Sequence, residues 1–276
     1  MIYTKRKDSK ATTMGDEMIE SNAPDAPSSL LTDSLTNPTG VTTPKFSAIF
    51  TDSNSNDKST HYQIEVNTNT SFTGTVMWDS GKVAFATPVD NGSRTPDITY
   101  TGTTLQFGVT YYWRIKLWDS EETSLESPWS ETAQFTTNYR PNQPATPLTN
   151  GLVSPTKVGL VPTFSAVYTD SDVDDEAISY QIVISKSSSL SAPLTWDSGK
   201  TTFSTPVTNN TRTAEIVYGG DPLLEGTTYY WQMRIWDSKD TESEYSATSQ
   251  FKTLSSPSSP TGLLTNGSST PGILPS

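Results

Sequence analysis

Beyond about residue 25 the apolar positions recur with a period of two. From 60 to 68, Tyr62, Ile64 and Val66 alternate with His61, Gln63, Glu65 and Asn67. Successive side chains of a pleated strand point to opposite faces, so the first set is predicted to face a core and the second to face outward. From 109 to 118 the same logic turns Tyr111, Trp113, Ile115 and Leu117 inward and Tyr112, Arg114, Lys116 and Trp118 outward. Clusters of Gly, Pro, Asn, Asp and Ser break these runs, and no 3.6-residue period is sustained. Strands are predicted over 29–32, 44–51, 60–68, 75–79, 95–100, 109–118 and 131–137.

The pattern then repeats. Pro44-Lys-Phe-Ser-Ala-Ile-Phe-Thr-Asp-Ser53 returns as Pro162-Thr-Phe-Ser-Ala-Val-Tyr-Thr-Asp-Ser171, and Trp78-Asp-Ser-Gly-Lys82 as Trp196-Asp-Ser-Gly-Lys200. Tyr111-Tyr-Trp113 returns as Tyr229-Tyr-Trp231. Each pair is 118 positions apart, so loop lengths are shared as well as motifs. Fixed-period self-similarity is the mark of tandem modules. Leu263-Leu-Thr-Asn-Gly267 echoes Pro147-Leu-Thr-Asn-Gly151, as the start of a third copy would. The expected organisation is a disordered tail (1–23), a first domain (24–138), a second domain (139–254), and a linker with a truncated third repeat (255–276). Seven short strands per module of about 115 residues predict a two-sheet sandwich. Two prolines in Asn138-Tyr-Arg-Pro-Asn-Gln-Pro144 predict an extended, semi-rigid connection.

Composition narrows what such modules can do. Of 276 residues, 32% are hydrophobic, yet 10% are aromatic, so a core of few, large side chains is expected. The net charge of −12 argues against nucleic acid and anionic membrane surfaces as partners. There is no cysteine, which excludes disulfides and thiolate sites, and one histidine, which excludes any site built on two imidazoles. No apolar run approaches the ~18 residues of a membrane span. Lys5, Arg6, Lys7 and Lys10 precede no apolar run, so no secretory signal is expected here.

Leu105-x-x-Gly108-x-x-Tyr111 and Leu223-x-x-Gly226-x-x-Tyr229 resemble the tyrosine corner of fibronectin type III domains. The Tyr-Tyr-Trp and Trp-Asp-Ser segments and Ser127-Pro-Trp-Ser130 are similar to fibronectin-III-like units of bacterial surface proteins. They also resemble units that precede the catalytic domains of bacterial glycosidases, rhamnosidase types among them. The resemblance implies an all-β chain of two tandem seven-stranded immunoglobulin-like sandwiches, arranged as beads on a string, with the Tyr hydroxyl bonded to upstream backbone. It departs from the vertebrate pattern at Phe46 and Phe164, where vertebrate modules usually carry Trp, and no Arg-Gly-Asp is present. The implied function is a non-catalytic spacer array of an extracellular or cell-surface protein, whose partners are flanking domains of the same parent chain. The alternative is a carbohydrate-binding or adhesion module accessory to a larger glycosidase-like enzyme, with polysaccharide as the partner.

Three patterns carry candidate chemistry. Asp170, Asp172, Asp174 and Asp175 have the alternate-residue acidic spacing that converges carboxylates on calcium, the one cofactor to consider; the counterpart loop carries Asp52, Asn54, Asn56 and Asp57. The competing reading is an Asp- and Asn-rich turn. The outward row Tyr112, Arg114, Lys116 and Trp118, mirrored by Tyr230, Gln232, Arg234 and Trp236, offers a sugar-stacking face, with Trp78 and Trp196 nearby. The competing reading is cross-strand packing under Arg and Lys stems. Asp79, Asp197, Asp119 and Asp237, each before a Ser, are expected to cap strand ends as Asx turns rather than form a catalytic carboxylate pair. No nucleophile–His–acid set, phosphate loop or zinc motif is present.

Overall fold

Each period-two run forms a strand in the computed structural model, which describes residues 22–120, 125–257, 259 and 261. Among these residues there is no helix. The expected N-terminal tail, except residues 22 and 23, and most of the expected third repeat lie outside the described residues. The chain divides into two units, one ending at Thr137 and the next starting at Asn138.

In the first unit the strands are β1 (Ser28–Thr32), β2 (Lys45–Ile49), β3 (Lys58–Asn67), β4 (Val76–Asp79), β5 (Val83–Asp90), β6 (Ile98–Thr99), β7 (Thr110–Trp118) and β8 (Ala133–Thr136). One sheet runs β1-β2-β6; the other runs β4-β3-β7-β8, with β5 also on β3. The antiparallel register pairs Tyr62 with Leu117, Ile64 with Ile115 and Val66 with Trp113, which puts both predicted inward sets on one face. Their rings and aliphatic chains meet Phe46 of the facing sheet: Phe46 lies 4.6 Å from Trp113 and 5.8 Å from Phe135, centroid to centroid.

The second unit repeats this with β9 (Ala145–Thr149), β10 (Thr163–Val167), β11 (Glu176–Ser185), β12 (Trp196–Asp197), β13 (Thr201–Thr208), β14 (Ile216–Val217), β15 (Thr228–Asp237) and β16 (Ser249–Lys252). Its sheets are β9-β10-β14 and β12-β11-β15-β16, with β13 also on β11. Phe164 takes the place of Phe46, 4.7 Å from Trp231 and 5.9 Å from Phe251. Both core tryptophans, Trp113 and Trp231, are 0% exposed.

Each unit therefore has eight strands where the alternation predicts seven. The added strands, β5 and β13, are edge strands with little burial: only Val89 is buried in β5. Each contains a proline, Pro88 or Pro206, inside a register shift, where a missing N–H leaves no ladder bond broken. Sparse apolar positions and an internal proline hide such a strand from pattern reading.

The tyrosine corner is formed in both copies. The hydroxyl of buried Tyr111 accepts the backbone N–H of Gln106 at 3.0 Å, and that of Tyr229 accepts Leu224 N–H at 2.9 Å. Gly108 and Gly226 make the intervening turn at φ +66° and +62°, a conformation that disfavours a Cβ. The segment expected to be a semi-rigid connection is bonded along the second unit. Tyr139 N–H donates to Asp172 Oδ2 at 2.7 Å, Asn142 N–H to Thr169 O at 2.9 Å, and Gln143 Nε2 to Tyr245 O.

Candidate functional site

The outward row is built by β7 and β15, and each row is covered by its own unit. Arg114 sits between two rings, 4.0 Å from the centroid of Phe72 and 4.4 Å from that of Trp129. It also donates through Nε and Nη2 to Glu65 Oε2, at 3.1 and 2.6 Å. Lys116 lies 5.1 Å from both Trp129 and Trp118, and Lys82 lies 4.8 Å from Trp118 on the β4–β5 side. The result is an alternating stack of cations and rings, each pair held by charge–quadrupole attraction. Trp118 is left only 6% exposed. In the second unit, Arg234 lies 4.7 Å from Trp236 and 5.0 Å from Tyr245, and Lys200 lies 4.9 Å from Trp236, which is 7% exposed. Tyr112 and Tyr230 are half-buried.

Sequence reasoning did not find Trp129 and Tyr245 as members of this stack. They are placed by the Ser-x-aromatic-Ser segments. Ser127 Oγ and Ser130 Oγ accept the N–H groups of Leu117 and Ile115 at 3.0 and 3.1 Å, while their own N–H groups donate back to the same residues' carbonyls. Ser243 and Ser246 do the same for Ile235 and Met233, both at 3.0 Å. Two hydroxyls inserted in the ladder hold the residue between or beside them over the row. A repeat of Ser-x-aromatic-Ser at the same place in both modules is the signal that marks it.

Trp78 and Trp196 do not share that face. Trp78 pairs with Val66 across β3–β4, so it points inward, 6.2 Å from Phe46 and 5.5 Å from Tyr100. Trp196 packs edge-on to Tyr218 at 5.1 Å. The following Asp-Ser-Gly makes a bulge in the sheet edge. Asp79 Oδ1 accepts Gly81 N–H at 2.9 Å and Gln63 Nε2 at 2.7 Å, and Ser80 Oγ accepts Ile64 N–H at 2.9 Å. Asp197 and Ser198 repeat these bonds to Gly199, Gln181 and Ile182 at 2.8, 2.6 and 2.9 Å. Asp79 and Asp197 are thus turn-forming acceptors.

The acidic loops gather differently from the four-carboxylate set of the spacing argument. In the second unit Asp170 and Asp175 turn inward and are buried, Asp172 is half-buried and holds Tyr139 N–H, and Asp174 is exposed. The third inward carboxylate is Asp237, at the end of β15, which is fully buried. It accepts Lys239 and Thr241 N–H groups at 2.9 and 2.8 Å and Asn138 Nδ2 at 2.9 Å. The Tyr168 hydroxyl donates to Asp170 Oδ2 at 3.3 Å, and the Ser238 hydroxyl to Asp175 Oδ1. Burial pushes the Asp170 carboxyl up to about 6, reinforced by the charges of Asp172, Asp237 and Asp175. Burial also raises Asp237, against the lowering effect of its bond from Asn138.

The first unit places Asp52, Asp57 and Asp119 at the matching positions, all buried. Among the described residues, this is the one place where three carboxylates bring oxygens within 4.8 Å of one another. Asp119 enters from the far end of β7. The register that pairs Tyr62 with Leu117 brings it beside Thr60, whose hydroxyl donates to Asp119 O at 2.7 Å, three residues past Asp57. Spacing within the loop alone could not show this; the pairing of β3 with β7 does.

The two sandwiches, their tyrosine corners and their self-covered faces define a tandem of immunoglobulin-like modules. The chain belongs to the family described as the Rha78A-like N-terminal immunoglobulin domain, which matches residues 27–139 and again 144–254. An alpha-L-rhamnosidase of Streptomyces avermitilis is 39% identical over 75 residues, which is 27% of this chain and 7% of that protein. Among solved structures, an alpha-L-rhamnosidase from Dictyoglumus thermophilum is 17% identical, with 80% of this chain and 28% of that chain covered and a TM-score of 0.35. The Streptomyces avermitilis alpha-L-rhamnosidase complexed with L-rhamnose is 14% identical, with 82% and 25% covered and a TM-score of 0.35. The chain thus spans 7% of the length of the curated rhamnosidase and 28% and 25% of the two solved rhamnosidase chains.

Proposed function

We propose that these two modules are non-catalytic accessory domains of a larger rhamnosidase-like protein, on the cell surface or outside the cell, and that they serve as a spacer and support for neighbouring domains. The closed outer face carries this reading. Rings that would stack on a sugar, Trp118 and Trp236, lie under the module's own Lys and Arg side chains. The Trp-Asp-Ser carboxylates are engaged by backbone N–H groups, so none stands ready for acid or base work. Family membership supports the same reading, since the matching family is described by an N-terminal immunoglobulin domain and not by a catalytic one.

Titration of the chain with L-rhamnose and a panel of rhamnose-containing polysaccharides, followed by tryptophan fluorescence and calorimetry, tests the reading. No saturable signal is expected. Saturable binding to any glycan overturns the spacer role.

A second reading, sugar recognition, is favoured by a different place from the outward row. A groove of about 410 Å³ at the β5–β6 edge of the first unit is lined by Tyr62, Trp78, Phe85, Pro96 and Ile98. Binding in the same titration that is lost in Phe85→Ala would select this reading.

A further inference from the structure

We infer that the first unit holds one calcium ion between Asp52, Asp57 and Asp119, and that the second unit, in spite of its more acidic loop, does not need one. The geometry suits calcium. Calcium takes carboxylate oxygens at ~2.3–2.6 Å, so oxygens on opposite sides of one ion lie up to roughly 5.2 Å apart. The carboxylate oxygens of Asp52, Asp57 and Asp119 all fall within 4.8 Å of one another, so a single ion reaches all three. The donors are oxygens only, which favours a hard cation, and they come from two segments, the β2–β3 loop and the end of β7.

A second observation points to a ligand. Asp52 is only 9% exposed, and its Oδ1 accepts Asn54 N–H at 2.8 Å. Its Oδ2 is shut off from solvent and accepts no hydrogen bond. Buried carboxylate oxygens normally have donors, and a cation serves in their stead. The loop is otherwise well fixed. Asn91 accepts Asp52 N–H at 3.0 Å and donates to Asp52 O at 2.7 Å, so the carboxylate is held in place.

The second unit shows what happens when neutral donors do the same work. Tyr168 supplies a hydroxyl to Asp170, and the residue matching it in the first unit is Phe50, which has none. Ser238 serves Asp175, and Asn138 serves Asp237. These donors leave one buried carboxylate oxygen, Asp175 Oδ2, without a partner. The loop with fewer charges is therefore the one whose carboxylates converge.

Equilibrium dialysis of the intact chain against calcium, together with calorimetric melting in calcium and in EDTA, tests the assignment. One calcium per chain is expected. One of the two melting transitions should rise by about 10–15 °C at calcium 100-fold above Kd, by ordinary linkage. Asp52→Asn and Asp119→Asn should each abolish both effects, and in EDTA Asp52→Asn should melt no lower than the parent, because it relieves repulsion. Asp170→Asn should leave the calcium response intact. Should Asp119→Asn fail to fold, Asp52→Asn carries the test alone. No bound calcium overturns the site. Two ions per chain, or a response that survives Asp52→Asn and is lost in Asp170→Asn, overturns its assignment to the first unit.

Discussion

One hydrogen bond deep in the core is made in the second copy and missing from the first, and that difference sets a measurable asymmetry. Trp231 Nε1 donates to Thr149 Oγ1 at 3.0 Å, with both residues fully buried. At the equivalent place in the first unit, Trp113 Nε1 and Thr32 Oγ1 are equally buried and neither has a partner. Thr→Val keeps the shape and removes the hydroxyl. In Thr149→Val the indole N–H is left dry, which costs about 1–3 kcal/mol, the usual desolvation loss for one orphaned donor. In Thr32→Val a hydroxyl that already lacks a partner is replaced by a methyl group, so the change is neutral or stabilising by up to ~1 kcal/mol. For a module of this size the first substitution lowers its own melting transition by roughly 4–12 °C, and the second leaves it level or raises it. Differential scanning calorimetry of the intact chain, resolved into two transitions, reads both in one protein. Equal losses from the two substitutions, or a larger loss from Thr32→Val, would show that the bond to Thr149 has no energetic weight and refute the argument.

Tyr111→Phe and Tyr229→Phe each remove the acceptor for one backbone N–H and should cost about 1 kcal/mol by urea unfolding, the net worth of one such bond; a change below a few tenths would show that the corner does not pin the turn. The second unit should also respond to pH. Asp170, ordinarily near 3.8, titrates near 6 in the folded state chiefly because it is buried. A raised value means the folded form holds the proton more tightly, so this stabilisation is complete below about pH 4 and is lost as pH rises through about 6. Between pH 4 and 7 the melting midpoint of the second unit should therefore fall more steeply in the parent than in Asp170→Asn; identical slopes would exclude Asp170 as the group responsible.

Much of this protein is written locally in its chain. Alternation is a nearest-neighbour property, so Tyr62, Ile64 and Val66, and Tyr111, Trp113, Ile115 and Leu117, declare their faces without knowledge of what they meet. The repeat at a spacing of 118 residues then shows that the same solution is used twice, and Leu-x-x-Gly-x-x-Tyr marks the turn that feeds the long strand, because donor, glycine and acceptor all lie within a few residues. The edge strands β5 and β13 were not legible, since an edge strand is held by one neighbour and needs few apolar residues. The meeting of three carboxylates was not legible either, because Asp119 joins Asp52 and Asp57 only through the register of β3 against β7. The same holds for the outward row. Alternation puts Tyr112, Arg114, Lys116 and Trp118 on one side of β7 but does not show that Trp78 and Trp196 turn the other way, and whether Trp118 greets a ligand or its own lysines depends on Lys82, Trp129 and the two serines that aim Trp129, all on other segments. Side-chain direction is set by local backbone geometry and is carried by the sequence itself; what lies opposite a side chain is set by contacts between distant segments, and only the folded chain decides it.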